Sequence, residues 1–256
     1  MAGYVEVDGV RTWYDEFGDG APLVLLHGGL SEARVFTGNL DTLAKEFRVY
    51  TPERRGHGHT PDVPGPLTVS VMAEDTIAFL EQVVGGPARL AGYSAGAAVA
   101  LAVALRRPDL VERLVLISGA FHAEGMLFTP TAGGTLPPEV VQAYAEVSPD
   151  GVEHLPVVVD RVVEGFAAEP GHDYAALAGV GCRTLVLAGD DDLVTPEHTL
   201  ALYRGIPDAE LAVLPGTSHL LLLEKPQLCA AIVGEFLTGD AIPTMMPIRR
   251  GGPSAA

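Results

Sequence analysis

Gly92-Tyr93-Ser94-Ala95-Gly96 follows the apolar run Ala88 to Ala91 and opens a small-residue helical run reaching Arg107. A strand that ends, reverses within one residue and starts a helix forces its central residue into a strained conformation. The flanking glycines are needed, because a side chain there would strike the adjoining strand or helix. The reversal leaves the serine hydroxyl at the carboxyl edge of a sheet and aims the free N–H groups of the next helix at the same spot. Ser94 is therefore read as a nucleophile. A glycine-rich turn with an ordinary serine would carry the same five letters, so the surrounding chain must supply the rest.

Working outward, strands alternate with helices. Tyr4 to Val7 and Val10 to Glu16 reverse at Asp8-Gly9, a hairpin signal. Leu23 to Leu26, Arg48 to Thr51, the run before Ser94 and Leu114 to Ser118 are short and apolar, as expected of strands buried on both faces. Between them Ala33 to Glu46 and Leu67 to Val84 have helical periodicity. The rhythm resumes with strand Thr184 to Ala188, helix Pro196 to Tyr203 capped by Thr195, strand Leu211 to Leu214 and helix Gln227 to Leu237. This order predicts an α/β fold: a doubly wound, mostly parallel eight-stranded sheet flanked by helices.

From Phe121 to about Leu177 the alternation breaks. Gly133-Gly134, Pro137-Pro138 and Pro170-Gly171 punctuate helical stretches at Pro138 to Val147 and Leu155 to Ala168. The expected organisation is a core at 1–120 and 179–238, a short helical lid insertion at 121–178, and a disordered tail at 239–256 containing Arg249-Arg250-Gly251-Gly252.

Composition sets outer limits. The chain has 256 residues, 48% of them apolar and 19% charged, enough for a large core. A net charge of −17 disfavours nucleic acid and anionic membrane surfaces as partners and leaves a small-molecule substrate. No secretory leader or membrane-spanning run is read in the sequence. Cys182 and Cys229 form no metal or redox spacing; both are expected as buried free thiols in a cytoplasmic setting. There is no Gly-x-Gly-x-x-Gly and no metal-ligand cluster, so neither a dinucleotide nor a metal is implied. Oligomeric state is not encoded in any recognisable pattern.

With His27-Gly28-Gly29, Gly56-His57-Gly58, the Ser94 turn, and an acid and a histidine after late strands, in that order, the chain resembles the α/β-hydrolase family over roughly residues 5 to 238. The resemblance assigns the two oxyanion donors to the Gly29 and Ala95 N–H groups, and leaves His27 as a structural residue packed beneath the loop. Glu53-Arg54-Arg55-Gly56-His57-Gly58 resembles the family's acidic-x-Arg-Gly-x-Gly turn, which braces the floor of the site and performs no chemistry. Gly189-Asp190-Asp191-Asp192 leaves the acid ambiguous from chemistry alone. The family's Gly-x-x-Asp spacing selects Asp192, with Asp190 as runner-up and a turn cap as its alternative. His219, after Pro215-Gly216-Thr217-Ser218, is placed to act as general base and then general acid. The remaining histidines are read as solvent or turn residues, except that His122, after the Leu114 strand, can face the pocket.

The resemblance implies a cofactor-independent serine hydrolase that cleaves a small neutral or apolar ester or lactone through an acyl-enzyme. Leu30, Tyr93, His122 and Phe128 are expected at the substrate pocket, and Phe121, Met126, Leu127, Tyr144 and Phe166 give the insertion an apolar character. A serine at 94 disfavours epoxide hydrolases and haloalkane dehalogenases, whose nucleophile is a carboxylate. The same fold and triad also serve thioesters, carbon–carbon bond hydrolysis, perhydrolysis and cyanohydrin cleavage, or a non-catalytic module that only binds a small molecule.

Overall fold

The computed structural model describes residues 2–128, 131, 133–240 and 244–246. The tail motif at 249–252 and most of the predicted disordered tail lie outside the described residues. Eight strands form one sheet: β1 (Gly3–Val7), β2 (Val10–Phe17), β3 (Ala21–Leu26), β4 (Phe47–Pro52), β5 (Ala88–Tyr93), β6 (Val111–Ile117), β7 (Arg183–Asp191) and β8 (Ala209–Ser218). Their spatial order is β1-β2-β4-β3-β5-β6-β7-β8. β1 and β2, and β2 and β4, run antiparallel, and every later pairing is parallel. The expected doubly wound architecture is present. Asp8 and Gly9, with φ of 49° and 79°, make the tight hairpin turn that opens it.

Helices α1 (Val69–Phe79), α2 (Ala95–Arg106), α3 (Pro138–Val147), α4 (Leu155–Ala168), α5 (Pro196–Gly205), α6 (Leu221–Glu224) and α7 (Pro226–Thr238) flank the sheet or lie above its edge. Side chains alternate across each strand, so successive residues feed two cores. Val24, Leu26, Leu90, Leu114 and Leu116 pack with Ile77, Val99 and Val103 on one face. Leu23, Leu25, Ala91, Val115 and Ile117 pack with Phe36, Leu40, Val233 and Leu237 on the other. Each such leucine contributes roughly 2 kcal/mol by leaving water.

Three expectations need correction. Ala33 to Glu46 is not one helix but two 3-10 segments, Ala33–Phe36 and Leu40–Lys45. Gly38 between them takes φ 78°, and the Asn39 side chain accepts from Leu40 N–H, so the chain restarts instead of continuing. The long helix at 67–84 is α for Val69–Phe79 and then one π turn, Leu80–Val84, ended by Gly85 in the left-handed region. Cys229 is buried as expected, but Cys182 is only partly so.

Between β6 and β7 the chain leaves the carboxyl edge of the sheet and carries α3 and α4 across it. Its two ends are stitched together: Ala123 N–H donates to the Pro170 carbonyl at 2.6 Å, and His172 N–H to the Phe121 carbonyl at 2.7 Å. The excursion is also tied to the loop after β4, where Asp62 accepts from His154 Nε2 at 2.9 Å and from Arg161. Among the described residues, no helix is long and apolar enough to cross a membrane.

Candidate active site

Ser94 sits between β5 and α2 with φ 55° and ψ −119°. The two neighbouring glycines are required by contact. A Cβ on Gly92 would lie 2.2 Å from the Gly96 carbonyl oxygen, and one on Gly96 would lie 2.2 Å from the Leu26 oxygen. Strand, helix and β3 therefore meet more closely than any side chain permits, which holds the serine in a conformation costing about 1–3 kcal/mol.

His219 and Asp192 reach this serine from the ends of β8 and β7. His219 Nε2 lies 2.9 Å from Ser94 Oγ, and its Nδ1 lies 2.7 Å from Asp192 Oδ1. A carboxylate can only accept, so Nδ1 carries the proton and Nε2 accepts from the serine hydroxyl. Burial by itself would raise the Asp192 carboxyl. Hydrogen bonds from His219, Ser118 and the Val194 N–H outweigh it and hold the group below its ordinary value. Asp190 points elsewhere, accepting from Thr217 N–H at 3.0 Å as a turn residue.

Ser118 was not anticipated from the sequence. It ends β6 with φ 48°, and its hydroxyl donates to Asp192 Oδ2 at 2.5 Å. Its place at the carboxyl end of the strand beside the acid's own strand is a signal, but one that needs the strand order to be known.

Gly29 and Ala95 close the other side. A Cβ on Gly29 would come 3.5 Å from the Ala95 methyl, so the two turns touch. Neither amide has a hydrogen-bond partner among the described residues. Leu30 follows with φ 50°, a bend that a side chain rarely adopts. Behind them lie His27 and Arg54, both buried. Arg54 Nη2 donates to the His27 and Gly28 carbonyl oxygens at 2.7 and 2.6 Å. Glu53, at the floor, accepts from the N–H groups of Ala33 and His59 at 3.1 and 2.5 Å.

A cavity of about 730 Å³ opens onto Ser94, Ala95 and His219. Its walls are largely apolar: Val69, Leu101, Met126, Val162 and Phe166, with Ala98 and Ala102 along α2. Of the expected pocket residues, Leu30, His122 and Phe128 line it, the last near the rim at 69% exposure. Tyr93 does not. Strand alternation turns its ring to the opposite face, where it packs with Val115 and Ile117 and donates its hydroxyl to the His219 carbonyl at 2.9 Å. His172, read from sequence as a solvent or turn residue, lines the cavity instead. Among the described residues no group of three or more His, Cys, Asp or Glu side chains is placed to hold a metal ion.

Fold and site together define an α/β protein with a serine at the tight turn from β5 into α2. The chain belongs to the Alpha/beta hydrolase family, whose family model matches residues 23–232. It is 27% identical over 265 residues to the 2-hydroxymuconate semialdehyde hydrolase of Pseudomonas sp. strain CF600, covering 90% of this chain and 91% of that one. It is also 27% identical over 268 residues to the pyrrolizixenacetamide deacetylase of Xenorhabdus hominickii, covering 93% and 99%. Among solved structures, the enol-lactonase of Burkholderia xenovorans LB400 superposes with a TM-score of 0.75 at 25% identity, covering 93% of this chain and all of that one.

Proposed function

We propose that the protein is a cofactor-independent serine hydrolase that opens a neutral, apolar carboxylic ester or lactone through an acyl-enzyme. The observation that carries this reading is the unbroken chain from Ser94 Oγ to His219 (2.9 Å) to Asp192 (2.7 Å) at the floor of an apolar cavity.

In the proposed cycle Ser94 Oγ attacks the carbonyl carbon while its proton passes to His219 Nε2. Asp192 holds the imidazole in the correct tautomer and stabilises the imidazolium. The Gly29 and Ala95 N–H groups take the oxygen that becomes negative, aided by the positive end of α2. His219 then gives the proton to the leaving oxygen. A water, deprotonated by the same nitrogen, attacks the acyl carbon and releases the acid with Ser94 restored. The excursion over the carboxyl edge supplies the cavity roof and acts as a lid in this reading.

The relatives' names favour a second reading, in which the same serine opens a bond other than an ester, as in a semialdehyde hydrolase or an acetamide deacetylase. A panel of p-nitrophenyl esters, lactones, thioesters and anilides, run on wild type beside Ser94→Ala, separates the two. Ester or lactone turnover that falls at least about a thousandfold in Ser94→Ala supports the first reading. Turnover confined to another bond class selects the second, and turnover that survives the substitution removes Ser94 as nucleophile.

A further inference from the structure

Arg54 is 5% exposed, and it makes no ion pair with a carboxylate among the described residues. Its Nε and Nη1 have no hydrogen-bond partner there, and burial pulls its pKa down to about 9, so it remains a cation at neutral pH. Buried charges are ordinarily paired, because an unpaired one is costly to desolvate. Its remaining nitrogen, Nη2, instead donates to two backbone oxygens, those of His27 and Gly28, and lies 3.0 Å from His27 Nδ1.

The Gly28 carbonyl belongs to the same peptide unit as the Gly29 N–H. His27 packs against that oxygen: its Nδ1 lies 2.8 Å from the Gly28 oxygen and 3.0 Å from Arg54 Nη2, and its Nε2 lies 3.2 Å from the Arg54 backbone N–H. Burial and the charge of Arg54 hold the His27 pKa well below its ordinary value, so the ring is neutral. The Gly28 carbonyl thus accepts from a buried cation. In a conjugated amide, drawing electron density onto oxygen leaves the nitrogen's hydrogen more positive.

We propose that Arg54 is a positioning residue that arms the oxyanion hole from behind, polarising and aiming the Gly28–Gly29 peptide so that its N–H binds the tetrahedral oxyanion more strongly. This rests on the acyl-transfer reading above. The uncompensated positive charge strengthens as an influence when the substrate oxygen becomes negative. Its effect therefore falls on kcat more than on KM.

The test compares Arg54→Met, Arg54→Gln and Arg54→Lys in the intact chain, with competent sites counted by end-point labelling with a fluorophosphonate. Arg54→Met should lower kcat per labelled site on p-nitrophenyl butyrate by about ten- to a hundredfold, with KM within about twofold. Arg54→Lys should recover part of that loss. Affinity for an aryl boronate, which forms a tetrahedral anionic adduct, should weaken in parallel with kcat/KM, while affinity for the neutral butyramide stays within about twofold. If Arg54→Met does not fold, Arg54→Gln, which keeps an N–H for the Gly28 oxygen and removes the charge, carries the same comparison. Variants that label fully yet turn over and bind boronate like wild type would reduce Arg54 to a loop pin and overturn the proposal. Wild type that resists the phosphonate, with Ser94→Ala still active, would overturn the acyl-transfer reading and this proposal with it.

Discussion

The Asp192 carboxylate is held at both oxygens by unlike partners: Ser118 donates to Oδ2 at 2.5 Å, and His219 to Oδ1 at 2.7 Å. Only one of the two faces the reaction. The other fixes the plane of the carboxylate, and hence the direction in which Oδ1 presents itself to the imidazole. A hydrogen bond to an ionised group contributes about 1.5–3 kcal/mol. Ser118→Ala should therefore lower kcat by about ten- to a hundredfold while leaving Ser94 labelling stoichiometric. Steady-state kinetics beside phosphonate titration checks it, and unchanged kcat would reduce Ser118 to a bystander.

The neighbouring aspartates should separate cleanly. Asp192→Asn removes the acceptor for His219 Nδ1–H and favours the wrong tautomer, so kcat should fall about a thousandfold or more. Asp190 serves the turn at Gly216 and Thr217, away from His219, and Asp190→Asn should stay within about threefold of wild type. The reverse ranking in a p-nitrophenyl acetate assay would reassign the acid.

The cavity follows α2 from Ala95 through Ala98 to Ala102, seven residue steps and so roughly 10 Å of helix. An extended acyl chain laid along it would meet Ala98 about one turn from Ser94. Ala98→Leu should preserve hydrolysis of p-nitrophenyl acetate within about threefold and cut that of the octanoate more than tenfold. Equal losses on both esters would show that the acyl group does not run along this helix.

Acid should weaken the fold through His57. Its pKa is pushed down to about 4 by burial and then by the charge of Arg54, against opposing effects of the Arg55 carbonyl and Asp62. In the unfolded chain it titrates near its ordinary value of about 6.5. Between those values the unfolded state binds a proton that the folded state refuses. Stability is thus full above about pH 6.5 and is lost as pH falls toward 4, by about 3 kcal/mol for this residue. Urea midpoints at pH 7.5 and 4.5 should show a smaller drop for His57→Gln than for wild type; equal drops would contradict it.

Much of this architecture could be read in advance because its signals are local. Short apolar strands, capped helices and Gly92, which a Cβ would drive into Gly96, all act between residues close in sequence or in the turn itself. Ala33 to Glu46 misled because Val35, Phe36, Leu40 and Leu43 fit one helical face equally well when two tighter segments are broken at Gly38-Asn39. Tyr93, expected at the pocket, turns away from it because a period of two sends neighbouring side chains to opposite faces. Ser118, Arg54 and His172 acquire their places from strand order and from the excursion's return. Those contacts join residues as far apart as 74 positions, for Ser118 and Asp192, and no periodicity records them.

The stem formed by Phe121, Ala123, Pro170 and His172 makes the excursion a detachable cassette. Beyond that stem, paired by two hydrogen bonds, the described contacts to the core are a few side-chain ties such as Asp62 with His154 and Arg161, and added length is cheap: doubling a loop costs only about 0.6 kcal/mol in closure. A lineage could exchange the whole piece, and with it the molecules admitted to Ser94, without disturbing the spacing of the groups beneath.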